Sequence, residues 1–364
     1  MPQTIRYGII GCGMMGHEHL QNIALLEGTE IAAIYEPDTA MCETAARHAP
    51  KAAFAPTLDA LLEIDALDCL VIASPNFCHA DQIKQIAQKR PLPLLVEKPL
   101  FTAPADAKPL RQVAQNYGAP IWVAMEYRYM PPIAALLDQA KEVTGGVRML
   151  TIREHRFPFL QKVGDWNRFN AKTGGTLVEK CCHFFDLMRL IMGSPPVRVM
   201  ASAAQSVNHL DETYDGQTPD IIDNGYVIVD FEGGQRAMLE LCMFAEGARY
   251  QEVISAVGPN GKIEAFVPGP TRFWPQDLGP SPIPLLEISP RAPKRPEIRE
   301  IPVDPLLLAA GDHNGSTFYQ HQGFLALVRG ERAAPDVSFD DGLWAVKIGM
   351  AAQQSAQTGQ SVAL

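Results

Sequence analysis

The chain has 364 residues, a formal net charge of −10, and 47% hydrophobic against 20% charged residues, the proportions of a globular protein long enough for two cores. The acidic balance, with no basic run, argues against a nucleic-acid or membrane-surface binder, and no stretch approaches the roughly 20 apolar residues of a membrane span. Seven cysteines without CxxC spacing suit reduced thiols and a cytoplasmic setting, and the start runs straight into a strand pattern, leaving no room for a signal peptide.

Ile5–Ile10 reads as a buried strand, followed by Gly11, Gly13 and Gly16 in GxGxxG spacing and a helical pattern from Met14 to Leu26. In that context Gly11 permits a tight turn, Gly13 leaves bare backbone for a pyrophosphate, and Gly16 lets the helix pack on the sheet. The helix start at Met14 and Met15 then offers free N–H groups to the dianion. Glu36 closes the next strand pattern, Glu30–Tyr35, where an acid bonds the ribose hydroxyls of a dinucleotide. Pro37 and Asp38 follow, with no Arg or Lys for a 2′-phosphate, so NAD is expected rather than NADP. Strand patterns at Cys69–Ala73, Leu94–Val96 and Ile121–Ala124 alternate with helices, which predicts a doubly wound parallel sheet over residues 1–126. Ligands bind such sheets at the carboxyl ends of the strands. Ser74, Pro75, Asn76 and His79 stand at one of these ends and Glu97-Lys98-Pro99 at another, and they are expected to meet the cofactor. Lys98 could also bond a substrate oxygen and stabilise alkoxide character as hydride leaves; standing alone, it would read rather as a solvated lysine at a strand end.

Residues 127–364 change character. A helix from Pro131 to Lys141 and strands at Val147–Arg156, Val197–Ala203, Tyr226–Phe231, Arg236–Phe244 and Glu252–Val257 predict an α+β domain with a mainly antiparallel open sheet of five or six strands. Arg236–Phe244 is apolar on both alternations, so its second face is covered either within the monomer or by another subunit of a homodimer or homotetramer. One helix is expected over Thr176–Met192, with Glu179, His183 and Asp186 on one face. A histidine one turn from a carboxylate is either a general base or a packed core residue, and spacing allows both. Lys180 reads as an exposed helix lysine. Cys181 and Cys182 read as small core residues, and adjacent thiols cannot easily share a tetrahedral zinc, so no metal is expected. Trp166, Asn167, Arg168 and Asn170 precede Gly174-Gly175 on a loop near the cleft, where Arg168 would suit a carboxylate or several hydroxyls. His313 stands in a segment that is either a substrate contact or a helix cap. Pro268–Pro305 holds eleven prolines and few regular patterns, and helical patterns at Phe318–Val328 and Asp340–Gln357 close the chain.

In combination, the glycine-rich turn, Glu36, the SPNFCH loop, Glu97-Lys98-Pro99, Tyr127-Arg128-Tyr129, the GGTLVEKCCHFFDLM segment and the closing VSFDDGLWAVKIGMAAQQSAQTG resemble the Gfo/Idh/MocA oxidoreductases. That group includes glucose–fructose oxidoreductase and inositol 2-dehydrogenase. The resemblance implies an N-terminal Rossmann domain, a C-terminal substrate and oligomerisation domain, and hydride transfer from a cyclic polyol or sugar hydroxyl to NAD(P). It implies Lys98, Glu179 and His183 as the catalytic group, Arg128 among the cofactor contacts, and His155 against a ring hydroxyl. Glu179 stands where the family usually has Asp, and Cys181 where it often has Gly. The same resemblance admits an NAD-dependent glycosidase and a catalytically silent dinucleotide or sugar sensor.

Overall fold

The computed structural model describes residues 4–364. Its first half alternates β1 (Ile5–Ile10), α1 (Met14–Ala24), β2 (Thr29–Tyr35), α2 (Thr39–His48), β3 (Ala53–Phe54), α3 (Leu58–Leu62), β4 (Cys69–Ile72), α4 (His79–Lys89), β5 (Leu94–Glu97), α5 (Ala107–Gln115) and β6 (Ile121–Ala124). The six strands pair in parallel in the order β3-β2-β1-β4-β5-β6. β4, β5 and β6 are buried along their whole length, because helices cover both faces of a parallel sheet. The order reverses between β1 and β4, and the crevice at that switch point takes ligands in such sheets.

The second half opens with α6 (Pro131–Thr144) and β7 (Met149–His155), followed by α7 (Asn170–Thr173), α8 (Thr176–Glu179) and α9 (Cys182–Met192). β8 (Pro196–Ala204), β9 (Asn224–Phe231), β10 (Arg236–Cys242), β11 (Glu252–Gly258), β12 (Gly261–Val267), β13 (Leu285–Pro290) and β14 (Glu297–Glu300) follow. The chain ends with α10 (Pro305–Ala309), α11 (Ser316–Val328), α12 (Phe339–Thr358) and β15 (Val362–Ala363). The sheet has nine strands, in the order β14-β13-β12-β11-β7-β10-β9-β8-β15, and only β7 with β10 is parallel. It is larger than the five or six strands expected, because β12 and β15 join it and the proline-rich segment, not irregular throughout, adds β13 and β14. Leu285–Glu300 folds as an edge hairpin, where proline deprives no central ladder of a donor.

One face of this sheet is core. Leu150, Ile152, Ala237, Leu239, Leu241, Ile254 and Ala256 point into it beside Phe184, Leu187 and Met188 of α9. The other face is open: Met149 is 55% and Tyr226 56% exposed, and Met238 and Cys242 are only half-buried. Arg236–Phe244 is therefore not buried on both faces within one chain. α11 and α12 return to the first sheet. Gly323 of α11 lies so close to Trp122 that a Cβ would stand 2.8 Å from the indole, and a Cβ on Gly349 of α12 would stand 2.5 Å from the Leu177 carbonyl oxygen in α8. The first contact seats α11 on β6, and the second seats α12 on α8. Among the described residues, no helix is long and apolar enough to cross a membrane.

Candidate active site

A cleft of about 630 Å³ opens at the carboxyl ends of the parallel strands, and residues that follow β1, β2, β4 and β5 line it. Gly11 has φ +90°, and a Cβ there would stand 2.5 Å from Ser74 Cα; a Cβ on Gly16 would strike the Gly11 carbonyl oxygen. At Gly13 a Cβ would meet nothing within 4 Å, so the backbone faces open space. α1 begins there with no side-chain cap and no acid in its first turn, which leaves the first-turn N–H groups, those of Met14 and Met15 included, for an anion. Glu36 lines the far end, its carboxylate accepting from the Cys12 N–H at 2.5 Å and the Asp38 N–H at 2.8 Å. Ser74, Pro75 and Asn76 line the opposite wall, and the buried Asn76 amide nitrogen has no partner among the described residues. An uncapped helix start, an open glycine and an orphaned amide together fit a dinucleotide. Gly16 and His79 are not among the lining residues. His79 instead ties the loops after β4 and β5 together, one ring nitrogen 2.7 Å from the Pro99 carbonyl oxygen and the other 2.9 Å from that of Ser74.

Lys98, Glu179 and His183 all line the same cleft. Lys98 leaves the end of β5 and donates to the Glu179 carbonyl at 3.2 Å. Burial lowers its pKa, but Cys182, Glu97, Glu179 and Glu126 raise it by more, so it stays an ammonium. Burial, with Lys98, Lys180, His313 and Arg156 around it, holds His183 far below the ordinary imidazole value, so it is neutral. Its ring stacks on Tyr127 with centroids 4.2 Å apart and planes 9° from parallel.

Three expectations change here. The helix expected over Thr176–Met192 is two helices, α8 and α9, separated at Lys180 and Cys181 by a widened turn in which the Cys181 N–H reaches the Thr176 carbonyl. The break removes the regular spacing that would have set Glu179 against His183. Glu179 pairs with Lys162 at 3.1 Å instead. Asp186 is likewise no partner of His183. The break also turns Lys180 inward, where it is buried, pairs with Glu154 at 2.8 Å and donates to the Tyr127 hydroxyl.

Arg128 is not among the cleft-lining residues. It forms a two-pronged pair with Asp186 of α9, Nε to Oδ2 at 2.6 Å and Nη2 to Oδ1 at 2.5 Å, and donates to the Asp336 carbonyl at 2.8 Å. Arg128→Met would strand a buried carboxylate, so it is expected to lower unfolding free energy by roughly 3–5 kcal/mol in a urea titration while dinucleotide affinity changes little. Unchanged stability with lost affinity would return Arg128 to the site.

Of the substrate candidates, Trp166 and His313 line the cleft, while His155 and Arg168 do not. His155 lies on the open face of the second sheet, 2.9 Å from Glu240, because strand alternation turns its neighbour Glu154 inward instead. Arg168 is buried against Glu212 at 2.9 Å. His313 bonds Glu18 of α1 at 2.9 Å, and the Thr317 hydroxyl, with one proton to donate, stands between Glu18 at 2.8 Å and Glu126 at 2.7 Å. Burial would lower the His313 pKa, but Glu126 and Glu18 raise it to about 9. Lys162, Arg156 and Glu252 complete the inner wall. Glu252 faces Glu154 across the β7–β11 ladder, and burial together with that carboxylate pushes its pKa up to about 7. No motif marks these residues, yet Glu252 and the Glu154 it faces carry a signal in the alternation of their strands. Glu154 shares the strand alternation of Leu150 and Ile152, and Glu252 that of Ile254 and Ala256, so each places an acid on a core face.

Comparison with known proteins bears on both halves. The family model described as "Oxidoreductase family, NAD-binding Rossmann fold" matches residues 5–125, and "Oxidoreductase family, C-terminal alpha/beta domain" matches residues 140–364. The chain is 26% identical to the rhizopine catabolism protein MocA of Rhizobium meliloti over 275 residues, 75% of this chain and 80% of that one. It is 27% identical to an inositol 2-dehydrogenase of Arthrobacter sp. (strain FB24) over 249 residues, 68% and 69% of the two chains. The fold is shared with an oxidoreductase domain protein from Kribbella flavida, at TM-score 0.82 and 20% identity over 100% and 99% of the chains. It is also shared with a levoglucosan dehydrogenase in complex with NADH and levoglucosan, at TM-score 0.80 and 18% identity over 99% of each.

Proposed function

We propose, for a chain that belongs to the Gfo/Idh/MocA oxidoreductase family, that it is an NAD-dependent dehydrogenase of a cyclic polyol or sugar hydroxyl. The observation that carries this reading is the meeting of an ammonium, Lys98, and a neutral imidazole, His183, in the cleft that also holds the glycine turn. When bound, the dinucleotide supplies a hydride acceptor, so a secondary alcohol loses one hydrogen as hydride and one as a proton and becomes a carbonyl. His183 takes the hydroxyl proton. Lys98 donates to the same oxygen and stabilises the negative charge that grows there. Glu179 and Lys162 act as a pair that fixes the wall beside Lys98, and Glu179, engaged by Lys162, does not orient His183. Gly11, Gly13, the start of α1, Glu36 and Asn76 hold the cofactor. A second copy packed on the open sheet face accounts for the exposed Tyr226 and Met149 and makes the protein a homo-oligomer.

The carboxylate of Glu36 favours NAD, because it accepts from ribose hydroxyls and repels a 2′-phosphate. Glu36→Ala is expected to weaken NAD binding roughly tenfold or more and to narrow the preference over NADP, read by titrating both dinucleotides. An unchanged ratio of the two affinities would remove Glu36 from that role.

The reaction itself is tested by product analysis over a panel of inositols, aldoses, lactones and glycosides. Net NADH with an oxidised sugar supports the dehydrogenase. Released aglycone without net NADH would identify a glycosidase, and NAD binding without turnover of any compound would identify a sensor.

A further inference from the structure

If Glu179 does not orient His183, something else must, since an unrestrained imidazole loses the alignment that proton transfer requires. The Nδ1 of His183 has no hydrogen-bond partner among the described residues. What touches the ring is Tyr127, stacked face to face at 4.2 Å. Tyr127 is 2% exposed and sits in the short turn after β6. Its ring is wedged edge-on against Phe184 of α9, with centroids 5.7 Å apart. Its hydroxyl is held by Lys180, whose ammonium also lies 4.7 Å from the Tyr127 ring centre and pairs with Glu154 at 2.8 Å. Glu154 is anchored in β7, between β10 and β11 of the rigid sheet.

Burying a lysine at 6% exposure requires compensation, and a packed apolar side chain of similar volume would serve stability as well or better. The use of an ammonium here is therefore explained by what it holds. We propose that Lys180, anchored on Glu154 and gripping the Tyr127 hydroxyl, is a positioning residue that sets the plane of the His183 imidazole through the Tyr127 ring. The inference rests on the reading of His183 as the proton acceptor. It replaces the carboxylate–histidine pair by a lysine–tyrosine–histidine stack and places the fixed point in the second sheet rather than in the helix that carries His183.

The arrangement has an electrostatic consequence with a definite sign. Besides the Tyr127 phenol stacked on its ring, the charged groups that act most on His183 are Lys98 at the end of β5, Lys180 between α8 and α9, His313 before α11 and Arg156 after β7, and all four lower its pKa. Burial lowers the Lys180 pKa from the ordinary lysine value; of the groups facing it, Glu154 and Glu252 oppose that and Arg156 adds to it. Removing the Lys180 charge leaves Lys98, Arg156 and His313 in place but takes away one of four cations. His183 should then gain its proton at a higher pH than in the unaltered protein.

The test is an NMR titration of the imidazole signals, nine histidines in all, with His183→Asn used to assign the signal in question. It is run on the unaltered protein, Lys180→Met, Tyr127→Phe and Tyr127→Leu. The double variant Lys180→Met/Glu154→Gln leaves no stranded carboxylate and serves where Lys180→Met alone folds poorly. Positioning predicts that His183 titrates higher in both Lys180 variants. It also predicts that kcat falls by about tenfold to a hundredfold in Tyr127→Leu with KM changed much less, and that Tyr127→Phe, which keeps the stack, loses less. Unmoved His183 titration in the Lys180 variants, with kcat falling only as far as the folded fraction falls, would overturn the proposal and leave Lys180 a structural ion pair. The NMR readout needs no turnover. A shifted titration in a protein that oxidises no polyol would support the stack and refute the dehydrogenase reading, whereas polyol oxidation with an unshifted titration would refute the stack alone.

Discussion

Lys98→Met is expected to lower kcat by roughly 10²–10³-fold, the loss typical when one donor to a developing oxyanion is removed, while NAD affinity stays within a few-fold. The methionine keeps the length of the side chain and its packing at the end of β5, so what is lost is the charge and its donors. The Lys98 ammonium is held charged by Cys182, Glu97, Glu179 and Glu126 against the burial that would lower it, and among the described residues its only side-chain hydrogen bond is to the Glu179 carbonyl. Donors therefore remain for a substrate oxygen. The glycine turn and Glu36, proposed above to hold the dinucleotide, take no part in these contacts. A fall in NAD affinity as large as the fall in kcat, measured by titration on the same preparation, would move Lys98 from the reaction to cofactor binding.

The second large effect is expected at His183. His183→Asn should reduce kcat by about 10²–10⁴-fold, the range for removal of a general base, again with little effect on the dinucleotide. The pH profile adds a sign. His183 can accept a proton only when neutral, and its pKa lies well below the ordinary 6.5, by burial first and then by Lys98, Lys180, His313 and Arg156. The acid limb of kcat/KM should thus fall below pH 6.5, with activity retained as pH drops through the range where a free histidine protonates. An acid limb at or above the ordinary histidine value would contradict a neutral His183, and so would a limb that persists unchanged in His183→Asn.

The parallel sheet was legible because its signals are local. Ile5–Ile10, the three glycines and Glu36 obey a spacing set by one strand, one turn and one helix, and a cofactor of fixed size imposes it. The catalytic end was legible only in part. Lys98 announces itself because Pro99 and a buried strand fix its place. Glu179, Lys180 and His183 lie in one apolar run whose periodicity reads as unbroken helix, and nothing in the run marks the widened turn at Lys180. The break is set from outside it, by α12 closing on α8 at Gly349 and by Thr176 bonding the Ile222 carbonyl at 2.6 Å, contacts far away in sequence. Arg128 was misplaced for a related reason: its partner Asp186 lies 58 residues on, and an arginine near a cofactor domain looks the same whether it faces a phosphate or a buried acid. His155 and Glu154 show the opposite case. Alternation along β7 was sufficient to turn the acid inward and the histidine outward, and resemblance to a family motif drew attention to the wrong neighbour.

The most direct test mixes the NAD-saturated protein with a panel of inositols, aldoses and lactones and follows the ultraviolet absorbance of NADH, with Lys98→Met and His183→Asn run beside it at matched NAD occupancy. NADH formation with at least one cyclic polyol or sugar, and its near-complete loss in both variants, is the expected result. NAD bound at full occupancy with no NADH from any compound, or NADH formed equally well by the two variants, would contradict a dehydrogenase built on Lys98 and His183.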